Sequence, residues 1–141
     1  MAKQKGRSLL LQIGDGGGTE VFTTLCGLTA KSMTINNEEI DVTTADCTTP
    51  GGVMWTEVLD GVKRISVSAN GFFEDSTQET RANTVAMATP PTANFKIVVP
   101  AFGTFAGSFF LSSLEWGGEV AGGVTYALSL ASTGAVTFTA S

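Results

Sequence analysis

The segment VKRISVSANGFFEDSTQET, residues 62–80, constrains the fold most, because its periodicity changes from two to 3.6 within a few residues. Ile65, Val67 and Ala69 fall on one side of an extended chain and Arg64, Ser66, Ser68 and Asn70 on the other, since strand side chains alternate. One face of that strand is dry; the other is wet or shared. Ser76 and Glu79 then form an S-x-x-E arrangement, in which the serine oxygen accepts from a first-turn amide and the glutamate reaches back to the cap. A helix is expected over about 77–88. Pro90 and Pro91 end it, because proline lacks the amide and clashes with the preceding turn. Ala82, Val85, Ala86 and Met87 are small or apolar enough to lie on a sheet.

The remaining pattern is mostly strand. LLLQI (9–13) and EVFTTL (20–25) flank GDGGG, whose glycines suit a hairpin reversal. Met33–Ile35 and Ile40–Thr43 are strand-like fragments in a polar stretch, and about 36–60 reads as a long loop containing Pro50, Gly51 and Gly52. Loops of that length are uncommon in compact domains and usually have a job. Residues 94–100 alternate again, 104–116 are apolar on both sides as if covered on both faces, and 124–132 with 135–140 suggest a hairpin about Ser132–Gly134. The expected fold is mainly β: an antiparallel β-sandwich or flattened barrel with one inserted helix. All 141 residues are expected to form one domain, with 1–7 as a flexible basic arm.

Charge narrows the partners. Lys3, Lys5 and Arg7 are three of eight basic residues, which leaves five basic against thirteen acidic groups from Ser8 onward, a net of −8. An acidic body repels phosphate backbones, so sequence-reading nucleic-acid binding is disfavoured. The basic start is followed by only three leucines before Gln12, too short for a secretory signal, and no apolar run approaches the roughly 20 residues of a membrane helix. A cytoplasmic product without membrane contact is expected.

No catalytic, metal or cofactor site emerges. The chain has no histidine, so the usual hydrolase triads lack their base. GDGGGT precedes β-branched and aromatic residues, whereas a phosphate-binding loop must open a helix. Glu38, Glu39, Asp41 and Asp46 lack calcium-loop spacing and read as a solvated acidic loop. Glu74 and Asp75 precede the helix cap, where negative charge meets the helix dipole. Cys26 and Cys47 lack metal-ligand spacing and are expected to be reduced and structural. Trp116 is expected in the core. Trp55, beside Val53 and Met54, either docks on a partner or folds back over its own sheet.

Three segments carry a resemblance: SLLLQIGDGGGTEVFTTLCGLTAKSM, NNEEIDVTTADC running on to TTPGG, and EVLDGVKRISVSANGFFEDS leading into the helix. In that order they resemble the major tail tube proteins of long, non-contractile-tailed bacteriophages, and most nearly those of phage-like gene transfer agents. The resemblance implies a two-sheet sandwich plus helix, six copies per ring, and rings stacked into a hollow tube that conducts double-stranded DNA without binding it specifically. It implies further partners, namely tape measure, distal tail and terminator proteins, and a product made in the host bacterial cytoplasm and built into a particle tail. The segment 36–60 is similar to the family's stacking loop, which places Glu38, Glu39, Asp41, Asp46, Val53, Met54 and Trp55 at a ring-to-ring interface. Met1–Arg7 and Ala135–Ser141 correspond to segments that add inter-ring contacts. Ser66, Ser68, Asn70, Thr125 and Ser129 are small and neutral enough to line a DNA conduit, and equally suit a solvated exterior. The alternative is a monomeric carbohydrate-binding or adhesin module with Trp55 as a stacking platform.

Overall fold

The computed structural model describes residues 3–73 and 77–140. After a 3-10 turn at Gly6–Ser8, its elements are β1 (Leu10–Gly14), β2 (Phe22–Thr24), β3 (Leu28–Asp41), β4 (Val58–Phe72), α1 (Thr77–Met87), β5 (Thr92–Val99), β6 (Gly103–Gly117), β7 (Thr125–Ser132) and β8 (Thr137–Ala140). All strand pairs are antiparallel, in the order β2-β1-β5-β6-β7-β4-β3, with β8 added to β6. The strands make one strongly curled half-barrel sheet rather than two separately bonded sheets. β6 joins its halves. Residues Gly103–Phe110 pair with β5, and residues Phe109–Gly117 pair with β7 beyond a bulge between Leu111 and Ser113.

The concave side holds the core. Ile65, Val67 and Ala69 of β4 are buried as their alternation requires, against Leu11, Ile13, Phe95, Ile97, Phe109, Leu111, Tyr126, Leu128 and Leu130. Each large apolar side chain removed from water in this way contributes about 1.5–3 kcal/mol. Phe95 and Phe109 meet edge to face at 6.1 Å. Helix α1 seats Ala82 and Val85 on this core, while Met87 is exposed. Ser76, the expected cap, and the Glu74–Asp75 pair lie outside the described residues.

Three expectations need correction. The 124–132 and 135–140 strands do not form a hairpin. β7 is already paired along both edges, by β4 and β6, so β8 continues along β6 and packs Phe138 at a tilt against Phe102 and Phe105. Residues 104–116 are not covered on both faces in one subunit: Phe110 and Trp116 are more than two-fifths exposed. Trp116 points to the core side, but at the end of β6, where the core runs out.

The β5–β6 connection is a tight turn in which the Phe102 amide donates to the Val99 carbonyl, with Pro100 and Ala101 in the middle. Ala101 has φ 61°, the left-handed value that a type II turn imposes on its third residue.

Candidate functional site

The chain's longest ladder, β3 with β4, outgrows the body. Only residues 66–72 of β4 pair with β7; Val58–Ile65 pair with β3 alone. The result is a two-stranded ribbon of six residue pairs, roughly 20 Å long, that projects from the sheet. Asn36–Asp41 and Val58–Asp60, expected as loop, are strand, because Ile35, Ile40, Val58 and Leu59 keep the ladder register. Glu38 and Glu39 sit at a bulge in the ribbon, and Asp41 makes its last pair, with Val58. All three are exposed.

The unpaired loop is residues 42–57, and it has structure of its own. The Val42 amide donates to the Glu57 carbonyl at 3.0 Å and the Glu57 amide to Thr43 Oγ1 at 2.9 Å, closing its neck. Asp41 Oδ1 accepts from the Thr43 amide, and Asp46 Oδ1 from the amides of Thr48 and Thr49. The Thr43 hydroxyl beside Asp41, and the Thr48 amide on Asp46, hold both carboxyls below the usual aspartate value. Beyond these turns Val53 and Trp55 are 85% and 83% exposed, so the tip does not fold back over the sheet.

The convex side of the inner strands is a different surface. Ser66, Ser68 and Asn70 of β4 share it with Thr125 and Ser129 of β7, and the register sets Ser68 beside Ser129. Ser32 and Ser113 extend that row across β3 and β6, so four serines cross four strands. Ser32 and Ser68 hydroxyls lie 2.9 Å apart, and Asn36 Nδ2 donates to Ser66 Oγ at 3.4 Å. Thr125 stands at the margin, opposite Phe72 and Gly117. The sequence could have supplied Ser32 and Thr34, which alternate with Met33 and Ile35; Ser113 depends on the bulge.

A third feature was not foreseen. Past the end of β4, Phe73, Trp116, Val124, Thr80, Asn83 and Glu79 line a cavity of about 490 Å³. Trp116 stacks on Tyr126 at 5.5 Å and takes Phe73 edge-on at 5.2 Å. Glu79 is 2% exposed; its Oε1 accepts from the Tyr126 hydroxyl at 3.1 Å, and its Oε2 has no hydrogen-bond partner among the described residues. The S-x-x-E pattern assigns it to the helix cap and gives no sign of this burial. The two cysteines are free and exposed, Cys26 near this end of the β3–β4 hairpin and Cys47 in the loop at the other.

Exposed apolar residues concentrate at those two ends. Of nineteen large hydrophobics exposed among the described residues, nine lie between Ile35 and Val62, and three more, Phe73, Trp116 and Val124, line the cavity. Contiguous exposed apolar surface of this kind marks interaction sites. Among the described residues no group of acidic or cysteine side chains is placed to hold a metal ion, and no helix is long and apolar enough to cross a membrane.

Residues 3–138 match the phage tail tube protein family. The chain belongs to that family. Two solved structures extend the likeness over nearly the whole chain. One, the tail of an empty gene transfer agent particle determined by helical refinement with C6 symmetry, is 32% identical with a TM-score of 0.86, over 97% of this chain and 99% of that one. Another, from the virion of a native gene transfer agent particle, is 31% identical with a TM-score of 0.83 over the same shares. The SPP1 tail tube, 14% identical, shares the fold with a TM-score of 0.67 over 97% of this chain and 79% of its own. No curated protein sequence matches. Tail tube proteins are structural rather than enzymatic, and membership replaces the ligand-binding module as the account of this chain.

Proposed function

We propose that the 141 residues act as one tail tube domain, six copies of which close head to tail into a ring, with rings stacked into a hollow tube that conducts double-stranded DNA. The supporting observation is the full-length likeness to a C6 gene transfer agent tail, joined to a ribbon that leaves the body and ends in an exposed apolar tip. A contact between two different patches either closes a ring or propagates a filament, and a stacked ring needs both kinds. The ribbon and loop 42–57 supply the propagating contact, with Asp46, Val53, Met54 and Trp55 on the loop and Glu38, Glu39 and Asp41 along its root.

The convex face with Ser66, Ser68, Asn70, Thr125 and Ser129 is assigned to the lumen. Its hydroxyls and amides hold water, and the rows from Ser66 to Asn70 carry no cation that could trap a phosphate; Arg64, one row further on the same face, lies on the ribbon opposite Asn36. The net charge of −8 from Ser8 onward adds long-range repulsion, so DNA slides without adhering. Tape measure, distal tail and terminator proteins are the expected partners along and at the ends of the tube, with the subunit made in the host bacterial cytoplasm before it enters a particle tail. The N-terminal arm and the 135–141 segment add contacts between rings; within the subunit Gln4 Nε2 donates to the Pro100 carbonyl, and β8 is bound to β6.

Negative-stain electron microscopy of the purified protein across a concentration series tests this. Hollow tubes or stacked rings with a central channel are expected. Compact particles of another symmetry, with no channel, would contradict it.

A further inference from the structure

The two apolar clusters occupy opposite ends of one strand. Val58 begins β4 at the loop and Phe72 ends it at the cavity, fifteen residues that span roughly 45 Å. A surface at each end of a subunit, neither complementary to itself, is the arrangement that joins copies in a line. The tip is an uncharged run, Cys47–Thr56, that presents the Trp55 indole outward; the cavity is apolar-walled and open, and one of its lining residues, Glu79, carries an unpartnered acceptor, Oε2, that is itself buried in the subunit, so a small side-chain shift must uncover it before a donor can reach it.

We propose that the Val53–Met54–Trp55 tip of one copy seats in the cavity between α1, the end of β6 and the segment before β7 of a copy in the adjacent ring. Trp55 lies between Phe73, Trp116 and Val124, and its indole N–H donates to Glu79 Oε2. The chemistry matches on both counts. Indole is a flat apolar body with a single donor and no acceptor, and a buried carboxylate oxygen without a donor is unsatisfied until one arrives. Phe73 and Trp116, each two-fifths exposed or more, gain the cover that their own subunit does not provide. The inference rests on the stacking role of the loop and adds the receptor to it.

The test uses the full chain with Thr56→Cys and Gly123→Cys in a Cys26→Ser/Cys47→Ser background, assembled into tubes and treated with a short bis-maleimide. Thr56 is exposed beside Trp55, and Gly123 immediately precedes the cavity-lining Val124; a side chain at Gly123 meets only the Phe72 ring at an ordinary 3.6 Å. Links between adjacent rings give a ladder on a denaturing gel that runs past six copies. A ladder that stops at six places the contact within a ring, and unlinked tubes remove it; either result overturns the proposal. Trp55→Phe, which keeps the ring and loses the donor, is expected to raise the concentration needed for elongation about tenfold, and wild-type elongation by that variant removes Glu79 from the contact. Deleting residues 48–56 separates the two levels. If the deletion still elongates, the stacking role itself fails; if it blocks elongation while the cysteines stay unlinked, only the receptor is wrong.

Discussion

The β1-β5-β6-β7 body and the β3–β4 ribbon use the same antiparallel ladder, yet they differ in what holds them. In the body, side chains on the concave face pack against a helix and several neighbouring strands, and Phe95, Phe109, Leu128 and Tyr126 are essentially dry. In the ribbon and loop, from Thr34 to Arg64, no residue is buried. A two-stranded hairpin is marginal in water without a third strand or a packed face. The apolar groups of the ribbon, Ile35, Ile40, Leu59 and Val62, are therefore surface awaiting a partner, while those of the body are already at work in the fold. On the function proposed for the ribbon, stability and assembly are carried by separate parts of one sheet.

Four perturbations sharpen that division. Deleting residues 48–56 is expected to abolish elongation while leaving the thermal midpoint of the subunit within a degree or so of wild type, as read by electron microscopy and circular dichroism in parallel. Phe109→Ala strikes the body instead: an aromatic ring lost from a closed core costs about 3–5 kcal/mol, to be measured by denaturant unfolding. Gly71→Ala lies between the two regions. Its Cβ would meet the Gly27 carbonyl at 2.1 Å and the Leu28 Cα at 2.6 Å, both backbone atoms that cannot swing away, so the root of the hairpin must shift. A loss of about 1–3 kcal/mol is expected, together with poorer assembly, since the ribbon's direction is set there. Ala101→Gly is the mildest. It relieves a left-handed alanine in the β5–β6 turn and should stabilise the body by about 0.5 kcal/mol with no change in tube length.

Acid probes the loop alone. Asp41 and Asp46 are held below their ordinary value of 3.8 by the Thr43 hydroxyl and the Thr48 amide respectively. A depressed carboxyl pKa contributes to the folded loop above 3.8, and that contribution is lost as pH falls through the lowered value. The Thr48 and Thr49 amides should then exchange faster relative to their intrinsic rates below about pH 3.8. Asp46→Asn keeps the acceptor but cannot titrate, and should remove the pH dependence at those two amides; an unchanged acid response would assign the opening to another group.

Local signals account for what the sequence made readable. The alternation of Ile65, Val67 and Ala69 placed a core face, the glycine cluster placed the β1–β2 hairpin, and Pro90 and Pro91 placed the helix end, each from residues within a few positions of one another. What escaped depends on distant partners. β8 could be assigned to β6 only once both edges of β7 were known to be taken. The ribbon looked like loop because its ladder has no buried face, so its residues need not alternate in polarity. The burial of Glu79 was not legible because it is set with Tyr126, 47 positions away, while its expected capping partner Ser76 lies outside the described residues. Of the proposed assembly surfaces, Val53–Trp55 and the Ser66, Ser68 and Asn70 face were visible as exposed or alternating residues; the cavity, gathered from the segment after β4, α1, β6 and the segment before β7, was not.

In cryo-electron microscopy of assembled tubes at side-chain detail, residues 42–57 are expected to cross the boundary between rings and the Ser32-Ser68-Ser129-Ser113 row to line the channel. A loop that stays within its own ring, or a serine row on the outer wall, would contradict this arrangement.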